Sequence, residues 1–143
     1  MKNLSLFLLF MLFVTAGKAQ STFVRFVTNK GNITVMLYDE TPAHRDMFLK
    51  SIKRGLYKNA EFNRVIKDFV SQGGELDDTI LNREKMNPQL GAKRFPVEIK
   101  PSIFHKKGTL GAGRDDNPEK ASYFTQIYLV VGKKQPDEQL DAI

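Results

Sequence analysis

The chain has 143 residues, of which 22 are basic and 16 acidic, a formal net charge of +6 at neutral pH, and no cysteine. That length suits one domain, and the missing thiols exclude a disulfide framework and a lipoprotein attachment site. The basic residues are scattered through Lys30, Arg45, Lys50, Lys53, Lys58, Lys93, Lys106 and Lys133 rather than run together, which describes a solvated surface and argues against a nucleic-acid partner.

Met1-Lys2-Asn3 is a short basic start, residues 4–16 are almost wholly apolar, and Gly17-Lys18-Ala19 puts small residues where a signal peptidase reads. This is a secretory leader pattern, so residues 1–19 are expected to be a signal peptide cleaved after Ala19, residues 20–143 the domain, and the product secreted or periplasmic. The apolar run of roughly a dozen residues falls short of the about 20 needed to cross a bilayer, so no stable membrane insertion is expected after the leader is removed. A chain of the remaining size buries roughly two-thirds of the surface that its unfolded form exposes, enough for a core without cross-links.

Residues 23–28 and 33–38 are apolar, partly β-branched runs joined by Asn29-Lys30-Gly31-Asn32. They predict a hairpin in which Ile33, Val35 and Leu37 share a core-facing side. Thr41-Pro42 then opens a helix, with Thr as N-cap and Pro at the first helical position. Its apolar stripe is Ala43, Met47, Phe48 and Ile52, and Gly55 stops it after the cationic Lys53 and Arg54. His44 has no second His, Cys or carboxylate at ligand spacing and reads as a surface histidine, and the helix as a cover rather than a site.

Residues 61–75, EFNRVIKDFVSQGGE, place a cation in a short strand, where alternation puts Phe62, Arg64 and Ile66 on one side. Arg64 is then either the partner of Glu61 or Glu75 in a buried ion pair or a tool aimed into a lined groove. Phe69, Val70 and Gln72 follow, and Gly73-Gly74 predicts a turn that needs positive φ or close approach. Residues 76–94 read as a long surface loop, with Asp77-Asp78 as solvated carboxylates rather than a metal site. Residues 96–99 make a short strand candidate and residues 105–108 a basic turn, with His105 in a turn or packing role. Residues 110–114, stripped of large side chains, let another group lie close, and no helix pattern follows to make their glycines a dinucleotide fingerprint. Residues 115–120 are turn-rich, and residues 123–131 predict the strongest strand, ended by Gly132. In its middle Gln126 must find partners or cost about 1–3 kcal/mol.

The order of these parts resembles the cyclophilin-type peptidyl-prolyl cis-trans isomerases. The resemblance is carried by FNRVIKDFVSQGGE at residues 62–75, PAHRDMFLKSIKRGLY at residues 42–57 and FHKKGTL at residues 104–110, and covers about residues 23–141. The NPEKAS stretch and the leader look like secreted Bacteroidetes members. The resemblance implies a mainly β fold, a closed eight-stranded antiparallel β-barrel capped by helices with a peptide groove on its outer face. It implies Arg64, Phe69 and Gln72 as the catalytic group, with Phe69 and Val70 lining a proline pocket. Gly113 and Arg114 fall where the family meets the peptide main chain, Gln126 at a polar groove position, Tyr128 at the aromatic floor and Leu140 at the pocket edge. No covalent intermediate, metal or cofactor is implied, and the partners would be proline-containing polypeptides acted on by a monomer.

Asn63 stands where the family usually has histidine, Tyr123 and Phe124 where it has small residues, Ile127 where it has an aromatic, and Ala112 where it has methionine. The family pattern continues past Leu140 with a groove histidine, further strands and a helix, so the segment is expected to be C-terminally truncated, with an incomplete barrel. Two functions are therefore expected in order: a prolyl isomerase for extracytoplasmic folding proteins, then a cyclophilin-like peptide-binding module or chaperone with little turnover.

Overall fold

The computed structural model describes residues 21–90 and 94–133, the Leu90 side chain excepted. Backbone contacts divide the chain into two units, residues 1–39 and residues 40–143.

In the first unit β1 (Thr22–Thr28) and β2 (Gly31–Leu37) form the expected antiparallel hairpin, with Thr28 opposite Gly31 and Thr22 opposite Leu37. The Thr28 hydroxyl locks the turn by donating to the Gly31 carbonyl at 2.7 Å while accepting the Lys30 N–H at 3.1 Å. Val35 and Leu37 are buried as predicted, whereas Ile33, beside the turn, is 39 % exposed.

The second unit begins with α1 (Pro42–Lys53), which buries Met47, Phe48 and Ser51. Phe48 packs edge-on against Tyr57 at 5.3 Å. The helix starts where the sequence places it, but the Thr41 side chain makes no capping hydrogen bond. Its place is taken by Glu98, whose carboxylate accepts the Ala43 N–H at 3.2 Å and the His44 N–H at 2.9 Å. Nor is His44 a surface residue. Its ring meets the Glu98 carboxylate at 3.1 Å and the Ser122 hydroxyl at 3.3 Å, and stacks edge-on against Phe95 at 4.9 Å.

Burial raises the Glu98 carboxyl, but the two backbone N–H groups and His44 outweigh it and hold it below the usual glutamate range. A carboxylate at a helix N-terminus also meets the positive end of the dipole. Glu98→Gln is expected to cost about 1 kcal/mol at neutral pH, the size of a lost cap. The native value is depressed, so this contribution is present above the ordinary glutamate range and lost as pH falls through the depressed value. Urea unfolding at neutral and acid pH checks it, and the deficit of the variant should shrink on acidification.

Four strands follow in one antiparallel sheet of order β3-β4-β6-β5: β3 (Arg64–Ile66), β4 (Val70–Gly74), β5 (Leu110–Ala112) and β6 (Gln126–Val130). Residues 76–94 are not a plain loop. They hold α2 (Asp77–Met86) and a 3-10 turn (Pro88–Leu90). Asp77 and Asp78 lie in the first turn of α2 and Arg83 and Lys85 in the last, each sign at the favourable dipole end, and Ile80 anchors the helix at 2 % exposure. Residues 96–99 form no strand. Prolines at 96 and 101 flank an exposed stretch, and the pairing is one bridge between Phe95 and Ser122.

The predicted strand 123–131 starts three residues late. The Tyr123 N–H bonds to the Gly113 carbonyl at 2.8 Å, and the Phe124 carbonyl accepts the hydroxyls of Ser51 at 3.4 Å and Tyr57 at 3.2 Å, which diverts this backbone from the ladder. Among the described residues the structure is mainly β with two α-helices, and its two sheets are open. The closed eight-stranded barrel is not formed there, because β1 and β2 pair only with each other and β3 and β5 are sheet edges.

Candidate functional site

Strand register builds the site. Arg64 on β3 stands opposite Gln72 on β4, Gln72 opposite Tyr128 on β6, and Tyr128 opposite Gly111 on β5. Residues directly paired in an antiparallel ladder point to the same face, so four strands set these residues in one row on one side of the sheet. Two residues away on that face lie Ile66, Val70 and Val130 in register on one flank, and Gly74 with Gln126 on the other. The row is thus a line of polar groups with an apolar flank.

Arg64 is exposed, and its Nη1 donates to the Gln72 Oε1 at 2.9 Å. The buried ion-pair alternative does not hold: Arg64 is exposed, no salt bridge joins it to Glu61 or Glu75 among the described residues, and Glu75 is bonded instead by Arg83 and by the Thr125 hydroxyl. Burial raises the Glu75 carboxyl, yet the Arg83 and Thr125 hydrogen bonds and the Arg83 charge bring it below the usual range. Asn63 turns its amide the other way, donating to the Gly74 carbonyl at 2.8 Å. The predicted turn at Gly73-Gly74 is not formed, since both glycines close strand β4, but Gly74 has the positive φ, +96°, and the close approach expected there: a Cβ would stand 2.0 Å from the Thr125 carbonyl oxygen.

Phe69 is 56 % exposed, and its carbonyl accepts the N–H groups of Val131 at 2.9 Å and Gly132 at 3.1 Å. Val70 is buried at 7 %. Gln126 is 2 % exposed, and its amide is spent inward, donating to the Glu75 carbonyl at 3.0 Å and to the Asp77 carboxylate. It therefore holds the start of α2. Gly113 packs against the Gln126 side chain, where a Cβ would meet Oε1 at 2.0 Å, and Arg114 is exposed with Nη1 on the Asp115 carbonyl at 3.1 Å. Leu140 lies outside the described residues.

Tyr128 is half-buried, with its phenol end over Gly111 and its hydroxyl 2.7 Å from the His105 Nε2. Burial pushes the phenol up, partly opposed by the Arg114 charge. Sequence reasoning gave His105 no part in this row. The available signal was the tyrosine itself, since a phenol on a partly buried floor needs a partner for its hydroxyl.

Residues 23–142 match the family described as cyclophilin type peptidyl-prolyl cis-trans isomerase/CLD. Over 121 residues the chain is 29 % identical to a peptidyl-prolyl cis-trans isomerase of Acinetobacter baylyi, covering 84 % of this chain and 60 % of that protein. Over 126 residues it is 34 % identical to peptidyl-prolyl cis-trans isomerase-like 2 of Rhizopus delemar, covering 80 % of this chain and 23 % of that protein. The chain thus spans less than two-thirds of the length of either relative. In fold it is similar to a Cryptosporidium parvum cyclophilin type isomerase crystallised in the presence of the dipeptide Ala-Pro, with a TM-score of 0.59 and 20 % identity, covering 86 % of this chain and 84 % of that one.

Proposed function

The chain belongs to the cyclophilin-type peptidyl-prolyl cis-trans isomerase family, and from that premise we propose that it accelerates rotation about X-Pro bonds in polypeptides folding outside the cytoplasm. The observation that carries the reading is the in-register row Arg64, Gln72, Tyr128 and Gly111, with the Arg64 guanidinium held by Gln72 on its own face. The extracytoplasmic setting rests on the leader pattern of residues 1–19.

Uncatalysed rotation faces a barrier of about 18–20 kcal/mol because amide resonance must be broken, and takes tens of seconds or longer. In the twisted state the prolyl nitrogen lone pair is no longer delocalised and accepts a hydrogen bond. Arg64 supplies a donor that stays charged at any physiological pH, and a donor that binds only the twisted state lowers the barrier. Gln72 occupies one N–H of the fork and orients the others. Phe69, Val70 and Tyr128 hold the prolyl ring while the acyl side turns. Gly113 and Arg114 meet the peptide main chain, and Gln126, its amide held by the Glu75 carbonyl and Asp77, flanks the row. No bond forms or breaks, so the chemistry asks for no cofactor and works on one proline-containing polypeptide at a time as a monomer.

Exposure of the Arg64 guanidinium favours a second reading, a peptide-binding module with slow turnover, since water competes for its donors. Exchange NMR on an Ala-Pro-Phe type peptide separates the two. The isomerase reading expects exchange well above background. Peptide-induced shifts at Gln72 with background exchange would favour the module, and neither effect would sink both.

A further inference from the structure

One tie across the floor of the groove is not used by the rotation chemistry. A Cβ on Gly111 would meet the Tyr128 Cζ at 2.3 Å and Oη at 2.5 Å, so the missing side chain is what lets the phenol lie across β5. At the far side its hydroxyl reaches the His105 Nε2 at 2.7 Å, with ring centroids 5.7 Å apart and planes inclined at 46°. With the imidazole proton on Nδ1 the phenol donates to Nε2; with it on Nε2 the imidazole donates to Oη. The ring is held either way. His105 is itself fixed to β6 by its own turn, since the Gly108 N–H donates to the Val130 carbonyl at 2.8 Å and the Val130 N–H to Thr109 at 2.9 Å.

The nearby charges leave this contact alone. Arg114 acts on Tyr128 only through its field, Lys106 sits over the Phe104 ring at 4.6 Å, and Arg64 is bonded to Gln72. Among the described residues no carboxylate bonds either partner, so His105 is the group that decides where the Tyr128 ring lies. A ring on one hydrogen bond, with no Cβ beneath it, turns about its side-chain bonds once that bond is gone.

We propose that His105 is a positioning residue, pinning the Tyr128 ring across Gly111 as the floor for the prolyl ring and thereby setting affinity for proline peptides without touching the rotating bond. This rests on the reading of the row as a prolyl isomerase groove. A floor contacts the prolyl ring equally in the planar and twisted states, so its loss raises KM and leaves kcat in place.

The test measures affinity for an Ala-Pro peptide by NMR titration, and the exchange rate at saturating enzyme, in the full chain. His105→Ala is expected to weaken binding about three- to tenfold, the worth of one net hydrogen bond, with the saturated rate within about twofold of the native chain on the same reasoning. Tyr128→Phe should show a similar loss, and His105→Ala in the Tyr128→Phe background should add nothing. His105→Gln, which keeps a polar group at that reach, should recover part of the affinity. Native affinity in His105→Ala, an equal further loss in the Tyr128→Phe background, or a fall confined to the saturated rate overturns the proposal. A native chain that binds the peptide without speeding exchange defeats the isomerase reading, while the affinity comparison still decides the role of His105. A native chain that binds no proline peptide overturns both.

Discussion

On the isomerase reading, Arg64→Ala is expected to lower the cis-trans exchange rate at saturating enzyme by about 10²–10³, the cost of removing one donor aimed at a transition state, while affinity for the planar peptide changes far less. Arg64 opens β3, an edge strand, and among the described residues its recorded bond is to the Gln72 amide at 2.9 Å. Among the described residues no carboxylate pairs with it, so its charge is available to a substrate. In the planar peptide the prolyl nitrogen has no free lone pair, so the Arg64 contact strengthens only as the bond twists, which is the condition for an effect on kcat rather than KM. Arg64→Lys should fall in between, since one ammonium cannot reproduce a planar fork that serves Gln72 and the substrate together. Being exposed and paired with no acid among the described residues, Arg64 should contribute little to stability, and unfolding free energies of the variants should stay within about 0.5 kcal/mol of the native chain. Exchange spectroscopy with parallel urea curves measures both. An unchanged rate, or a rate loss matched by unfolding, would falsify the assignment.

Local patterns were legible in the sequence where one short stretch contains its own cause. The β1–β2 hairpin, α1 with Pro42 at its start, β3 and β4, and the side-chain-poor β5 all announce themselves by alternation, a cap or small residues. What was hidden depends on partners distant in the chain. The helix α2 buries Ile80 alone, so it carries no apolar stripe, and its start is held by Gln126, 49 positions from Asp77. The cap on α1 comes from Glu98, 55 positions from Ala43, and the same carboxylate draws His44 inward. The β6 strand loses its first three predicted residues because hydroxyls of Ser51 and Tyr57 take the Phe124 carbonyl. The candidate row follows the same rule. Its residue types came from the family resemblance, but the fact that Arg64, Gln72, Tyr128 and Gly111 stand side by side is a matter of register, set by pairings as distant as Gln72 with Tyr128 that no local pattern encodes.

Arg94→Met is expected to give the largest stability loss, about 3 kcal/mol, and it falls in a group of residues that no motif marked. The Arg94 guanidinium bonds both Glu84 carboxylate oxygens, reaches the Asp115 carboxylate at 2.8 Å and lies 4.4 Å over the Tyr123 ring. It thereby ties α2, the segment after β5 and the approach to β6. The side chains of Arg94, Glu84 and Asp115 are 12 %, 17 % and 30 % exposed, so two acids would be left largely desolvated and uncompensated. Breaking such a pair costs about 3–5 kcal/mol when it is buried, and the exposure of Asp115, with its remaining bond from Asn117 at 2.6 Å, puts the value at the lower end. The pH dependence gives the signature. The Arg94 hydrogen bond, against burial, holds the Asp115 carboxyl below its usual range. That contribution is present above the ordinary aspartate range and disappears as pH falls through the depressed native value. The native and variant curves of unfolding free energy against pH should therefore converge in acid. Tyr123→Phe is the control. It keeps an aromatic face beneath the guanidinium and removes a buried hydroxyl, whose ionisation burial and the Asp115 charge push up to about 12, so it should change stability by less than about 1 kcal/mol. A deficit in Arg94→Met that stays constant from neutral to acid pH would show that the loss is one of packing alone.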